Sequence, residues 1–282
     1  MPPRTPRNCT QPSGARIYDA LLSRTPYAGD SEILSRLTPA EREYLSAAAG
    51  INRLHSALAA RHLADYGFEQ FLDLGCGFPS PQIRPRSDEP LQWIPHVHEE
   101  VVRIRPGAPV VYVDIHADVI GHMRADTDDA GVAVHVQGDL RHMTPLLTAL
   151  DRLGHLDLRR PLAVLAHDVL SWMGLEEAVG SMRDLRELVA RGSALSITHP
   201  TDDLGQVMSK LTPLCKEADL IYQPRSRDVI ERFFGDWELL APGLVPTAEW
   251  SREHWSPAGP DLSGAYAGIA VKPADQDRNP RP

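Results

Sequence analysis

Apolar positions along this chain follow two periodicities, and the change between them divides it. Residues 16–22 (RIYDALL) have helical apolar spacing and meet a break at Ser23-Arg24-Thr25-Pro26. A second helix opens at Thr38-Pro39-Ala40-Glu41: Thr as N-cap, Pro at the first helical position, and Glu placed to close a capping box. It is expected to run to Tyr66, with Gly50 as the one place it could break and Gly67 as its left-handed stop. From there short apolar runs take over, at residues 71–74, 110–113, 132–136, 162–166 and 194–198. Stretches of helical spacing separate them at 118–124, 144–153 and 176–190, and residues 237–244 and 267–271 read as two closing strands. Strands alternating with helices predict an α/β fold with a mainly parallel sheet covered on both faces. Ligands of such sheets bind beyond the carboxyl ends of the strands, where the strand order reverses.

Composition narrows the class. A length of 282 residues allows one large α/β domain or two small ones, and the pattern favours one. The expected division is a mobile arm at 1–12, a helical cap at 13–67, a sheet domain at 68–273 and a mobile tail at 274–282. With 38 acidic against 29 basic side chains, the net charge of -9 argues against nucleic acid as a partner. Cys9, Cys76 and Cys215 are odd in number and far apart, which suits a reducing, cytoplasmic setting better than a disulfide framework. No apolar run reaches membrane-spanning length and the start lacks the apolar stretch of a secretory signal, so no membrane partner is expected. His96-Val-His98 has alternate spacing a metal could use, but no other ligand cluster accompanies it and no metal site is expected.

The candidate chemistry lies at the strand ends. The first strand runs into Asp73-Leu-Gly-Cys-Gly-Phe-Pro79, whose two glycines let backbone approach a ligand closely. A dinucleotide fingerprint would add a third glycine; Ser80 and Pro81 stand there instead, which weakens a nicotinamide reading. Asp114 ends the second strand, where a carboxylate can accept from both hydroxyls of a ribose. Asp139 follows the third, placed to receive an adenine amino group with Leu140 against the base. Each feature has a plainer reading, a tight turn or a helix N-cap, but three strand ends in register point to a nucleoside-type ligand.

This pattern resembles the class I S-adenosylmethionine-dependent methyltransferases. It is most similar to an actinobacterial S-adenosyl methyltransferase family once grouped as a domain of unknown function. The resemblance rests on an ordered set that includes residues 15–22, Asn52-Arg53, residues 70–79, Val97-His-Glu99 and residues 110–114. It continues with Gly138-Asp-Leu-Arg141, Thr198-His199, Arg225-Ser-Arg227, Phe233-Phe234, residues 242–246, Trp250 and Tyr266-Ala-Gly268. It implies a Rossmann-like seven-stranded sheet with the last strand antiparallel, helices on both faces, an N-terminal helical lid, and S-adenosylmethionine as cofactor. By the same resemblance Asp73, Gly75, Cys76, Gly77, Pro79, Asp114, Ile115, Asp139, Leu140 and His167 would contact that cofactor. The chain departs from the family at Ser23–Pro26, at His167-Asp168, at Ser171-Trp172, and in an extra segment from Gln82 to Pro95 that contains Trp93. The departures cluster on the expected acceptor side and leave the reaction open.

If the acceptor is a hydroxyl or ammonium, a base must take its proton. His167, Asp168 and His199 are the candidates, since the fourth and fifth strands end there. His167 could equally cap its strand and touch the cofactor, His199 could make a structural hydrogen bond, and Asp168 could attract a cationic acceptor or satisfy a turn. Tyr18, Tyr27, Ser171, Trp172, Tyr222 and Trp250 could frame an acceptor pocket, with core packing as the plainer role of each aromatic. Arg225 could meet a substrate carboxylate. Three functions remain in view. The first is a small-molecule methyltransferase of specialised metabolism, acting alone or as a homodimer. The second is a cyclase or lyase that releases methylthioadenosine without an external acceptor, and the third a non-catalytic protein that binds the cofactor.

Overall fold

The computed structural model describes residues 11–22, 28–79, 82–83, 92–127, 131–250 and 260–274. The expected arm and tail fall almost wholly outside these, as do Ser23–Pro26, Tyr27 and most of the Gln82–Pro95 segment.

Ser13 starts helix α1 (Gly14–Leu21), its hydroxyl accepting from the Arg16 amide at 3.3 Å. Helix α2 (Ala28–Ser35) follows, and α3 (Pro39–Tyr66) runs unbroken from the Thr38–Glu41 capping box to Gly67 at φ 114°. Gly50 does not interrupt it. A helical glycine costs roughly 1 kcal/mol against alanine, and burial of Leu45, Ala48, Ala49 and Ile51 around it outweighs that.

The sheet half continues with β1 (Phe71–Leu74), a small hairpin of β2 (Gln82–Ile83) and β3 (Gln92–Trp93), α4 (Val97–Ile104), β4 (Val110–Asp114) and α5 (Ala117–Thr127). Next come β5 (Ala133–Gln137), α6 (Met143–Arg152), β6 (Ala163–His167), α7 (Leu175–Leu188) and β7 (Ala194–Pro200). The chain closes with α8 (Leu211–Glu217), α9 (Arg227–Phe234), β8 (Glu238–Leu239), β9 (Val245–Pro246), α10 (Thr247–Trp250) and β10 (Ala265–Val271).

The strand order is β5-β4-β1-β6-β7-β10-β8, with β9 also paired to β10. Strands β1 and β4 to β7 pair in parallel, and β10 runs antiparallel to β7, β8 and β9. Among the described residues the sheet therefore has eight strands rather than the expected seven. The single strand expected over 237–244 is interrupted by a Leu240–Gly243 turn: Pro242 has no N–H for a ladder and Gly243 sits at φ 89°. Only Glu238–Leu239 and Val245–Pro246 pair, each for two residues.

Alternate side chains of the parallel strands enter different cores, hence the nearly continuous apolar runs. Leu72, Leu74, Val111, Val113 and Val164 pack with α6, α7 and α9, whereas Phe71, Val110, Tyr112 and Leu165 pack with α4, α5 and Ala59, Ala60 and Leu63 of α3. A third cluster joins α1, α2 and the first half of α3 to Met208, Leu211, Leu214 and Tyr222. Helix α3 thus covers the sheet with its second half and carries the α1–α2 layer with its first. The strand order reverses on either side of β1, so the ends of β1, β4 and β6 open on one crevice under that layer.

Candidate active site

The crevice holds a cavity of about 340 Å3. Its floor is the turn after β1, where Gly75 and Gly77 take φ of 72° and 66°. A Cβ on Gly75 would lie 2.3 Å from Val169 Cγ2, so this turn admits no side chain there. Arg53 of α3 pins the turn from above, donating to the carbonyls of Cys76 at 2.6 Å and Phe78 at 2.8 Å. That bond joins the helical layer to the glycine turn, and Arg53 itself lines the cavity.

Asp114 stands at the end of β4. Its Oδ2 accepts from the Gly77 amide at 3.1 Å, and its Oδ1 accepts from the His116 amide at 2.9 Å with His116 Nδ1 equally close. The carboxylate raises the pKa of His116 by that bond. Beside it Ile115 is 42% exposed, apolar surface turned to the cavity. Leu140 lines the same region, and Asp139 caps the short turn that carries it, paired with Arg141 at 2.7 Å. The Arg141 guanidinium holds the Asp139 carboxyl below its ordinary range.

Asp73, Cys76 and Pro79, expected beside the cofactor, do not line this cavity. Asp73 is 6% exposed; burial pushes its carboxyl up to about 6, with Arg53 opposing and Asp114 adding to the shift. The Cys76 side chain joins the core under α3, and Pro79 is buried just beyond the turn. A strand residue alternates between faces, so only some positions of such a motif can look into the crevice.

The end of β6 forms the other wall. His167 has Nδ1 2.8 Å from Ser56 Oγ and Nε2 2.8 Å from Ser196 Oγ. Burial, with His55 and Arg53 nearby, holds the ring neutral, so one nitrogen donates and the other already accepts from a serine. Asp168 follows at φ 54°, a left-handed backbone that a non-glycine residue adopts at a cost. Its Oδ2 accepts from Tyr18 Oη at 2.8 Å and its Oδ1 from Thr198 Oγ1 at 3.1 Å. Burial pushes this carboxyl up to about 6, against the Tyr18 and Thr198 bonds and the Arg53 charge.

Helix α1 roofs the same end. Tyr18 and Trp172 line the cavity, and Trp172 packs on Tyr222 with ring centroids 4.8 Å apart. A Cβ on Gly14 would fall 2.6 Å from the indole, so glycine is what lets α1 lie against Trp172. Ser171 and Tyr222 line only an adjoining void of about 20 Å3, which Tyr18, Asp168 and Trp172 share. The Ser171 hydroxyl donates to the Asp168 carbonyl at 3.0 Å.

Three residues considered for this end take supporting positions in the structure. His199 is fully buried away from the cavity, with Nδ1 2.8 Å from its neighbour's carbonyl and Nε2 2.8 Å from Arg225; burial lowers its pKa to about 3. Arg225 lines neither void: its guanidinium donates to the carbonyls of Leu170 at 2.7 Å and Met173 at 2.6 Å, fastening the loop after β6. Trp250 packs edge-on against His55 and His62 instead of lining the cavity. Arg53, Ser56, His116 and Gly14 were not assigned to the site from sequence. Their signal exists only as distance in space, except for Arg53, which stands within a resembling segment.

His96 Nε2 lies 2.8 Å from Asp126 and His98 Nδ1 2.9 Å from Tyr112 Oη. Among the described residues no group of three or more His, Cys, Asp or Glu is placed to hold a metal ion. No described helix is long and apolar enough to cross a membrane.

The sequence matches the S-adenosyl methyltransferase family over residues 3–273. No curated protein matches it. Among solved structures, a Thermobifida fusca protein described as a candidate methyltransferase is 29% identical, with 95% of this chain and 97% of that one aligned at a TM-score of 0.78. A DUF574 family protein from Streptomyces avermitilis is 26% identical over 93% and 98% of the two chains, at 0.77. The N-methyltransferase NodS of Bradyrhizobium japonicum, 10% identical over 80% and 98% at 0.50, shares the fold alone.

Proposed function

Because this chain belongs to the S-adenosyl methyltransferase family, whose cofactor is S-adenosylmethionine, we propose that it methylates a small molecule of specialised metabolism. The residues present fit that cofactor. Gly75 and Gly77 line the cavity with backbone alone, Asp114 ends β4 with a lone pair to spare on Oδ2, and Ile115 and Leu140 supply apolar surface. The observation that carries the small-molecule reading is the roof: α1, laid on Trp172 through Gly14, covers the end of the cavity where the acceptor would sit. The departures at His167-Asp168 and Ser171-Trp172 lie at that same end, as an acceptor peculiar to specialised metabolism would require.

The cofactor supplies an electrophilic methyl carbon: the acceptor's lone pair forms the new bond while the C–S pair stays with sulfur. The protein's part is alignment and exclusion of water. Tyr18 and Trp172 wall the acceptor end. Asp168, with a carboxyl near 6 at the cavity wall, would take the acceptor's proton and return it to solvent. His167, held on both sides by Ser56 and Ser196, shapes the wall as a fixed neutral ring.

Calorimetric titration with S-adenosylmethionine, followed by mass spectrometry with and without a small-molecule panel, tests this. S-adenosylhomocysteine formed only when an acceptor is present is the expected result. Methylthioadenosine without an acceptor would assign internal cyclisation instead. Binding with no product across the panel would leave a cofactor-binding protein, and no binding would overturn all three.

A further inference from the structure

The charge and shape of the cavity narrow the acceptor's chemistry. Six carboxylates line it, on Asp19, Asp114, Asp139, Asp168, Glu177 and Asp219, against the guanidinium groups of Arg53 and Arg141. Both arginines are committed, Arg53 to the Cys76 and Phe78 carbonyls and Arg141 to Asp139. A bound cofactor carrying a sulfonium offsets only part of the remaining negative charge. An acceptor bearing a carboxylate or phosphate would meet net repulsion here, because Arg53, Arg141 and the His116 ring held by Asp114 are each already paired.

Aromatic surface and negative charge coincide at one place. Asp168 is the carboxylate at the end of β6, and Tyr18 and Trp172 line the cavity with it. The same three residues bound the adjoining void, where the Tyr222 ring backs Trp172. Each Asp168 oxygen accepts one side-chain hydrogen bond, from Tyr18 or Thr198, and a carboxylate oxygen can accept a second. The left-handed backbone at φ 54° holds that carboxylate at the wall at a conformational cost, which a merely solvated acid would not require. Aromatic faces beside a carboxylate form the arrangement that draws organic cations out of water, by ring quadrupole and by charge.

We infer that the acceptor is an amine that enters as an ammonium ion and binds between Tyr18, Trp172 and the Asp168 carboxylate. The inference rests on the methyltransferase reading and adds the substrate class to it. A neutral phenol or alcohol would gain nothing from the carboxylate, and an acid would be excluded by it.

The test uses full-length protein saturated with S-adenosylhomocysteine, so that binding is read without turnover. Three probes share one ring and differ in charge: 2-phenylethylammonium, 2-phenylethanol and phenylacetate, each titrated calorimetrically. The ammonium is expected to bind about tenfold tighter than the alcohol, a gain of about 1.4 kcal/mol, with phenylacetate weakest. Asp168→Asn should reduce that preference to about threefold or less while S-adenosylhomocysteine still binds, which also reports that the variant is folded. Should that variant not fold, Trp172→Leu, which removes one ring, should also shrink the preference. Equal or tighter binding of the alcohol or the acid overturns the inference, as does an unchanged preference in both variants or the failure of all three probes to bind at millimolar concentration. Failure of S-adenosylhomocysteine to bind the unaltered protein would instead strike the methyltransferase reading itself.

Discussion

Tyr18 Oη lies 2.8 Å from Asp168 Oδ2, a bond between the roofing helix and the end of the fourth strand of the parallel sheet, 150 residues apart in sequence. The same hydroxyl is 3.1 Å from the Ala49 carbonyl, so its single proton has two acceptors. Tyr18→Phe removes both contacts and keeps the ring. It should cost about 1–2 kcal/mol in urea denaturation and speed amide exchange in α1. Unchanged exchange in α1 would show that this bond does not hold the roof.

The Asp168 carboxyl sits near 6, raised by burial, and is faced by Tyr18 from α1, Arg53 from α3, Thr198 from β7 and Tyr222 beyond α8. If its ionised form takes the acceptor's proton, kcat should rise with pH through a limb near 6 and level off above it. Asp168→Asn should abolish that limb along with most of the rate. A limb that survives the substitution would assign the proton transfer elsewhere.

Asp73 is raised to about 6 as well, and the consequence for stability has a definite sign. Between its ordinary value and about 6 the folded state binds more protons than the unfolded one, so stability falls as pH rises through that window and is flat above it. Asp73→Asn should flatten the fall and raise stability at pH 7 by about 1–2 kcal/mol, a partial gain because Arg53 loses a neighbour. Denaturant midpoints at pH 4.5 and 7 would show it. Asp168 contributes a fall of the same sign, so the substitution removes only a share.

Gly75→Ala and Gly77→Ala should differ. Both sit at positive φ, which costs an L-residue about 1–2 kcal/mol. Only Gly75 also meets Val169 at 2.3 Å, whereas a Cβ on Gly77 finds nothing nearer than an Arg53 nitrogen at 3.7 Å. Gly75→Ala should therefore lose about 1–3 kcal/mol more than Gly77→Ala. Adding Val169→Ala should recover part of the Gly75 loss and none of the Gly77 loss, as thermal or chemical unfolding of the four variants would report.

Arg225 and His199 offer a control on role. Arg225→Met removes the side-chain donor from the carbonyls of Leu170 and Met173, the first of which keeps only a 3.3 Å backbone bond, and should cost about 2–3 kcal/mol. His199→Gln should lower stability without displacing the activity limb near 6, since His199 lies away from the cavity. A displaced limb would restore His199 to the proton path.

Local pattern was enough for the elements whose signals are local. The Thr38–Glu41 capping box and Gly67 bounded α3 because caps are satisfied within one turn, and near-continuous apolar runs announced β4, β6 and β7 because both faces of each are buried. Helix α4 escaped notice: it has only eight residues, and its N-terminal signature is a His96–Glu99 pairing rather than a Ser or Thr cap. The Leu240–Gly243 turn divided an expected strand because Pro242 could not donate to a neighbour.

The sequence by itself determined that strands end in glycines and acids, and so determined the α/β class, the crevice and a nucleoside-type ligand: these follow from periodicity and from residue types within a few positions of each other. Only the tertiary structure decided which of those residues face the cavity. Asp73 and Asp114 read alike at their strand ends, yet Asp73 is buried away from the cavity and Asp114 opens on it. His167 and His199 both end strands of the parallel sheet, yet one lines the wall and the other supports Arg225. The roof over Asp168 depends on Gly14 and Trp172, 158 residues apart in the numbering, meeting at a distance no local rule specifies. Side-chain direction and burial are set by packing between distant elements, and the assignment of roles waits on that packing.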